Sequence, residues 1–366
     1  MTIRPSMAAL LLVVVVAGGA CRSGSETTTT AQTTTITTTA EPTTTGAPPS
    51  TTTSAPITSS TLAAEQTVQV LLAPFSELGP EWVERVFPYG ETADTLGTSP
   101  GGEGLLLGPE YGTQTPDGTW WFLDAANLRV AHFDADGTYL DEIVLPEDLL
   151  VDGQFFQFQM PQGLDDGSVV AFGLRSEDTT SLLRIADGVA SQALFAGAIP
   201  LQTTDGELLY GFSLEDQLPR ALDPGAVVPE VTDFFGARDG SRYMVRIVED
   251  QALVALPDAG VTRVLQLRFS EDPEVAVRAG VEVDTGADGT LYILLYGAPE
   301  SDETLGVGAF VTVGPDGNVS EAEPIVDPFS LSDPGSPAHL GVTPGTATPW
   351  IMVVGEDGVH VFTRGG

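Results

Sequence analysis

One small turn recurs along most of the chain, and it restricts the possible folds more than any other feature. Asp117-Gly118 precedes TWWFLD, Asp166-Gly167 precedes SVVAFG, Asp205-Gly206 precedes ELLYGF, Asp239-Gly240 precedes SRYMVRIV and Asp288-Gly289 precedes TLYILLY. A degenerate copy, Gly345-Thr346, stands before PWIMVV. The Asp-Gly pairs follow one another at intervals of 49, 39, 34 and 49 residues. A second turn comes later in each unit: HFDADG, RIADG, RALDPG, ALPDAG and VTVGPDG, with VVGEDG in a shortened last unit. Asp-Gly tolerates positive φ and lets the Asp side chain bond nearby amides, so such pairs mark tight hairpins between strands. The apolar runs between them are of strand length, too short for free-standing helices, and rich in Val, Leu, Ile and aromatics. They read as strands buried on both faces. The flanking segments RVAHFD, TYLDEIVL and VTRVLQLRF alternate more, as outer strands do.

An internal repeat of this size fixes the architecture before any motif is considered. Each unit reads as a four-stranded antiparallel meander, and six of them suit an all-β fold, a β-propeller of six four-stranded blades. The longest helix-period stretch is Glu81 to Phe87, after Gly79-Pro80, and it offers barely two turns. An α/β sheet would have nothing to cross over with. The last unit ends at VHVFTR, one strand short, so an N-terminal run, either TVQVLLAPF or VERVF, is expected to supply the missing strand and close the ring.

The first unit, PDGTWWFLDAANLRVAHFDADGTYLDEI, resembles an NHL-type repeat in Asp117, Gly118, Asp124, Asn127, Arg129, Val130, Phe133, Asp134, Asp136 and Gly137. The resemblance implies a six-bladed propeller related in shape to gluconolactonase-like and TolB-like proteins. Later units keep the glycine turns and, at Arg184 and Arg220, the Arg, but they lose the Asp-x-x-Asn portion. The family's activity therefore does not transfer with the repeat.

Asp124 and Asn127 offer a carboxylate and an amide oxygen at one hairpin, a pair suited to a hard cation such as Ca²⁺. The same residues also suit a turn cap, with Arg129 bracing the next blade. His132, His339 and His360 are far apart in sequence, and each is either a general base or ligand or simply a partly exposed strand residue. No Gly-x-Ser-x-Gly elbow, His-Glu-x-x-His or phosphate-binding glycine loop is present.

Composition narrows the partners. With 51 acidic residues against 14 basic ones, all Arg, the formal charge is -37. That balance argues against nucleic-acid binding, which needs a basic patch, and against electrostatic docking on anionic lipid. A single Cys excludes an internal disulfide framework and multi-cysteine metal sites.

The address lies at the N-terminus. Arg4 precedes an apolar run from Met7 to Ala20, of signal-peptide length and shorter than the ~20 residues of a spanning helix. The run ends in Gly18-Gly19-Ala20-Cys21, which resembles the lipobox of bacterial lipoproteins, although that family usually has Leu where Gly18 stands. The resemblance implies diacylglycerol on Cys21, with cleavage just before it. From Thr27 to Thr61 there are 18 Thr in 35 residues, with almost nothing to bury, so this stretch is expected to be a disordered stalk. By coil scaling its span is on the order of 40 Å.

These readings divide the chain into a lipoprotein signal peptide (1–20), a Thr/Pro/Ser-rich linker (21–65) and a propeller domain (66–366). The expected localisation is the outer face of the bacterial cytoplasmic membrane or the cell surface, with the lipid as the sole membrane contact. The expected function is a binding or scaffold module for an envelope component, protein or glycan, without catalysis and with no required cofactor. The alternative is a Ca-dependent hydrolase or lactonase of gluconolactonase-like type, with one carboxylate ligand from each of several blades.

Overall fold

The computed structural model describes residues 66–70, 73–74 and most of 78–365, except 101–105, 146–157, 224–229, 257–262, 270–274, 300–306, 324–338 and a few shorter gaps. The expected signal peptide (1–20), Cys21 and the expected stalk (21–65) lie outside the described residues. Six antiparallel four-stranded sheets follow one another along the chain, with a fifth strand added to one of them. Blade 1 is Gly112–Gln114, Trp120–Asp124, Arg129–Phe133 and Tyr139–Val144. Blade 2 is Phe158–Gly163, Val169–Ser176, Thr179–Ala186 and Val189–Ala196; blade 3 is Leu201–Thr204, Leu209–Phe212, Pro219–Leu222 and Glu230–Val231. Blade 4 is Phe235–Gly236, Arg242–Val248, Gln251–Leu256 and Arg263–Phe269. Blade 5 starts with Val275–Thr285, Leu291–Pro299 and Val307–Val313, and blade 6 with His339–Val342, Pro349–Val354 and Gly358–Arg364.

The N-terminal chain completes the outer edges. Trp82–Pro88 pairs antiparallel with Gly358–Arg364 over seven residues, so VERVF is the run that closes the ring. The helix-like spacing of 81–87 is overridden by that pairing: Trp82 and Phe87 turn inward, whereas Val83 and Val86 remain exposed. The competing run TVQVLLAPF serves two other blades. Gln66–Val70 lies parallel on Arg263–Phe269 of blade 4, and Ala73–Pro74 lies antiparallel on Val307–Val313 of blade 5.

Each corner joins the first and second strands of a blade, and the local chemistry explains why. In five corners the Asp carboxylate accepts the N–H two residues on, as Asp166 does from Ser168 at 2.9 Å and Asp239 from Ser241 at 2.9 Å. The glycines at Gly206 and Gly289 hold φ of 98° and 80°, where a side chain is strained, and a β-carbon there would strike the Asp165 and Asp239 carboxylates of the preceding blade. Most of the second turns join third and fourth strands. VVGEDG does not: it links the second and third strands of blade 6, because that blade's fourth strand comes from the N-terminus. Since the strands of each blade alternate in direction, the Asp-Gly corners share one axial face, and the second-to-third turns and interblade crossings share the other.

Burial follows strand position. The second strand of blade 6, PWIMVV, is buried throughout, and the outer strand of blade 1, YLDEIV, is largely exposed. RVAHF behaves as an inner strand, with only His132 half-buried, because the fourth strand and the adjacent blade cover it. Apolar clusters fill the spaces between neighbouring blades. At the junction of blades 6 and 1, Phe87, Trp120, Phe122, Phe133, Trp350 and Met352 form one such cluster.

Candidate functional site

On the crossover face, the turn Ala125–Asn127 of blade 1 is a single 3-10 turn that ends with Leu128 at φ 54°, an uncommon value for a branched side chain. Asp124, fully buried beside it, accepts the Gly97 N–H at 3.2 Å, the Asn127 side-chain amide at 2.8 Å and Arg129 Nε at 2.8 Å. The Arg129 guanidinium also donates to the Ala93 carbonyl at 2.9 Å, the Thr95 carbonyl at 2.5 Å and the Glu142 carboxylate. Arg129 thus braces the crossing that arrives from blade 6, not the following blade. The three residues do come together as the repeat resemblance implies. With a guanidinium and two N–H groups on its oxygens, however, the Asp124 carboxylate already has its countercharge, and this donor set does not suit a Ca²⁺ ion. Among the described residues, no group of three or more His, Cys, Asp and Glu is placed to hold a metal.

Beside this clamp lies a cleft of about 440 Å³, lined by Tyr89, Gly90, Glu91, Gly97, Thr98, Asn127 and Glu356. It sits at the seam where the closing strand hands over to blade 1. Burial pushes the Tyr89 phenol well above its ordinary range, and Asp357 adds to the shift. Among the described residues, the lining side chains are polar or acidic, and none is cationic.

The ring axis is organised differently. Glu282, on the innermost strand of blade 5, accepts His339 Nδ1 at 2.8 Å and the Leu340 N–H at 2.6 Å, both from the innermost strand of blade 6. Tyr111 of blade 1 packs on the His339 ring with centroids 4.6 Å apart. The free space here is about 10 Å³, which is room for about one water. Two residues further along the same strand, the buried Asp284 accepts the Val342 N–H at 2.8 Å. Arg238 of blade 4 reaches across the axis. Its Nη1 donates to Asp165 of blade 2 at 2.9 Å, its Nη2 faces the Gly163 carbonyl at 3.4 Å, and its Nε lies 3.9 Å from Asp284. Its side chain is 1% exposed, so the guanidinium fills the channel on the corner side and ties three blades together.

Burial pushes the Asp284 carboxyl up, against the opposing pull of Arg238 and the Thr285 and Val342 amides. A carboxyl raised in the folded state contributes stability that is complete below its unfolded value of about 3.9 and is lost as pH rises through the folded value. Asp284→Asn cannot titrate there. Its stability, measured by denaturant unfolding from acid to neutral pH, should therefore fall less steeply with pH than that of the parent, and parallel profiles would assign the burden elsewhere.

The other two histidines occupy separate places. His132 shares a 2.9 Å hydrogen bond with Asp141 and stacks on Trp121 at 3.8 Å. His360 lies between Glu84 at 2.7 Å and Asp357 at 2.8 Å. Glu282, Asp284 and Arg238 belong to no motif of the sequence. The available signal was VEVDT, residues 281–285, where two acids sit at alternate positions of an otherwise apolar strand and so share one face.

Strand order, ring closure and a filled axis define a six-bladed β-propeller closed by its own N-terminal strand. The chain belongs to the family described as a domain of unknown function, DUF7485, whose pattern matches residues 80–364. No curated protein matches it. Among solved structures, virginiamycin B lyase from Staphylococcus aureus is 10% identical, with 77% of this chain and 99% of that one covered and a TM-score of 0.41. Regucalcin, a calcium-binding protein from Agrobacterium tumefaciens, is 13% identical, with 81% and 97% covered and a TM-score of 0.38. The propeller assignment rests on the strand order itself.

Proposed function

We propose that this protein is a lipid-anchored propeller on the outer side of the bacterial membrane, which binds an envelope protein or glycan in the seam cleft and carries out no reaction. The observation that carries this reading is the contrast between two spaces in the ring. The cleft between blades 6 and 1 is open and about 440 Å³, whereas the axial space beside His339 and Glu282 is about 10 Å³. Recognition needs the first, and chemistry at the His339–Glu282 pair would need a larger second. Glu91, Glu356 and the Asn127 amide favour a ligand rich in hydrogen-bond donors. The N-terminal pattern through Cys21, with the Thr-rich stretch behind it, supports the anchor and the reach.

Two measurements test the proposal. Cys21→Ala should move the full chain from the membrane fraction to the medium, and continued retention in the membrane would overturn the anchor. A photo-reactive side chain at Asn127 in intact cells should give a discrete adduct that Thr98→Trp, which fills the cleft, abolishes. An adduct indifferent to that substitution removes the cleft from the proposal. Stoichiometric Ca²⁺ retained by the full chain against dilute chelator, together with lactone hydrolysis, would favour the hydrolase instead.

A further inference from the structure

We infer that the corner side of the ring axis is a binding site for one internal water molecule, held by Thr203, Tyr243, Arg238 and Asp284. Thr203 lies on the innermost strand of blade 3, Tyr243 on the second strand of blade 4 and Asp284 on the innermost strand of blade 5, while Arg238 stands beside the Asp239-Gly240 corner. All four side chains are at most 3% exposed. Three of their polar atoms, Thr203 Oγ1, Tyr243 Oη and Arg238 Nε, have no hydrogen-bond partner among the described residues. A buried polar atom without a partner costs more than one hydrogen bond gains, so interiors seldom leave three together. The four groups are also neighbours. The Tyr243 phenol interacts with the Thr203 hydroxyl and with the charges of Asp284 and Arg238. Arg238 Nε stands 3.9 Å from Asp284 Oδ1, too far for a direct hydrogen bond and close enough for one small molecule to touch both. The Arg238 backbone N–H donates to Thr285 Oγ1 at 3.1 Å, which fixes the corner against the strand that carries Asp284.

Chemistry selects the occupant. The Arg238 Nε–H can only donate, so it turns away a metal cation. Asp284 Oδ1 accepts the Thr285 N–H at 2.8 Å and keeps a second lone pair, which turns away an anion, as does a chain of formal charge -37. The two hydroxyls either donate or accept. A molecule that accepts from Arg238, donates to Asp284 and shares a bond with each hydroxyl is water, and four polar partners match the needs of an internal one. The burial of all four side chains leaves larger solutes no way in. The water then joins blades 3, 4 and 5 at the axis, where Arg238 already reaches Asp165 of blade 2.

A high-resolution crystal structure of the full chain carrying Cys21→Ala tests this directly. The expected result is one solvent peak without anomalous signal, about 2.7–3.2 Å from at least three of the four groups. A halide or metal peak, a direct Thr203–Tyr243 hydrogen bond, or no density among the four groups overturns the inference. Denaturant unfolding in solution gives a second reading. With the water bound, Tyr243→Phe and Thr203→Val each remove one of its hydrogen bonds and should raise the unfolded-to-folded ratio about fivefold. Because one molecule links the two hydroxyls, the double variant should raise the ratio by less than the product of the single effects. A Tyr243→Phe variant with a lowered ratio would mean that the hydroxyl had no partner to lose, which overturns the inference. Single effects that simply multiply overturn it too, because the hydroxyls would then share no molecule.

Discussion

Phe87→Ala is expected to lower the unfolding free energy by about 3–5 kcal/mol. Phe87 is fully buried on the closing strand, and its ring meets Phe122 at 4.6 Å, Phe133 at 5.2 Å and Trp120 at 6.0 Å, all from blade 1. Truncation removes transfer energy and leaves a cavity, and it does so where the closing strand of blade 6 packs on blade 1. The neighbouring Val86→Ala supplies the contrast, since Val86 is 39% exposed and its loss should stay within about 0.5 kcal/mol. Denaturant unfolding of both variants reads the difference. A Phe87→Ala cost as small as that of Val86→Ala would mean that ring closure does not depend on this packing.

Arg238→Met should cost about 3 kcal/mol or more, because it strips the countercharge from the buried Asp284 carboxyl, whose other donors are the neutral Thr285 and Val342 amides. Most of that cost belongs to Asp284, which is buried, whereas Asp165 is 47% exposed and solvent screens it. The double variant Arg238→Met with Asp284→Asn removes both charges, keeps a side-chain oxygen for the Val342 N–H and should recover most of the loss. If the double variant is as unstable as Arg238→Met alone, the guanidinium stabilises the ring by filling volume, not by neutralising Asp284.

The sequence conveys the ring far better than it conveys the site. Corners such as Asp117-Gly118 and Asp166-Gly167 are legible because positive φ and the Asx hydrogen bond are local requirements, satisfied by two or three adjacent residues. Clearly apolar runs such as PWIMVV are legible because second strands are covered on both sides. The closing strand was harder: WVERVFP spaces its apolar residues as a helix might, and only the vacant edge of Gly358–Arg364 makes it a strand. Asp124, Asn127 and Arg129 could be placed at one hairpin, but the Gly97, Ala93 and Thr95 groups that they hold belong to a crossing some thirty residues earlier, outside the reach of any local pattern. The same holds at the axis. Arg238 meets Asp165 across 73 residues, and Glu282 meets His339 across 57, so their partnership exists only once the ring has formed.

The N-terminal chain is laid along the rims of blades 4, 5 and 6 in turn before the ring begins. Tension transmitted from anything ahead of residue 66 reaches blade 4 first, at a strand with no role in closure. The two-residue ladder on blade 5 comes next, and the seven-residue ladder that shuts the circle is loaded last. The belt therefore works as a strain relief, of the kind that keeps a pull on a cable from reaching its plug.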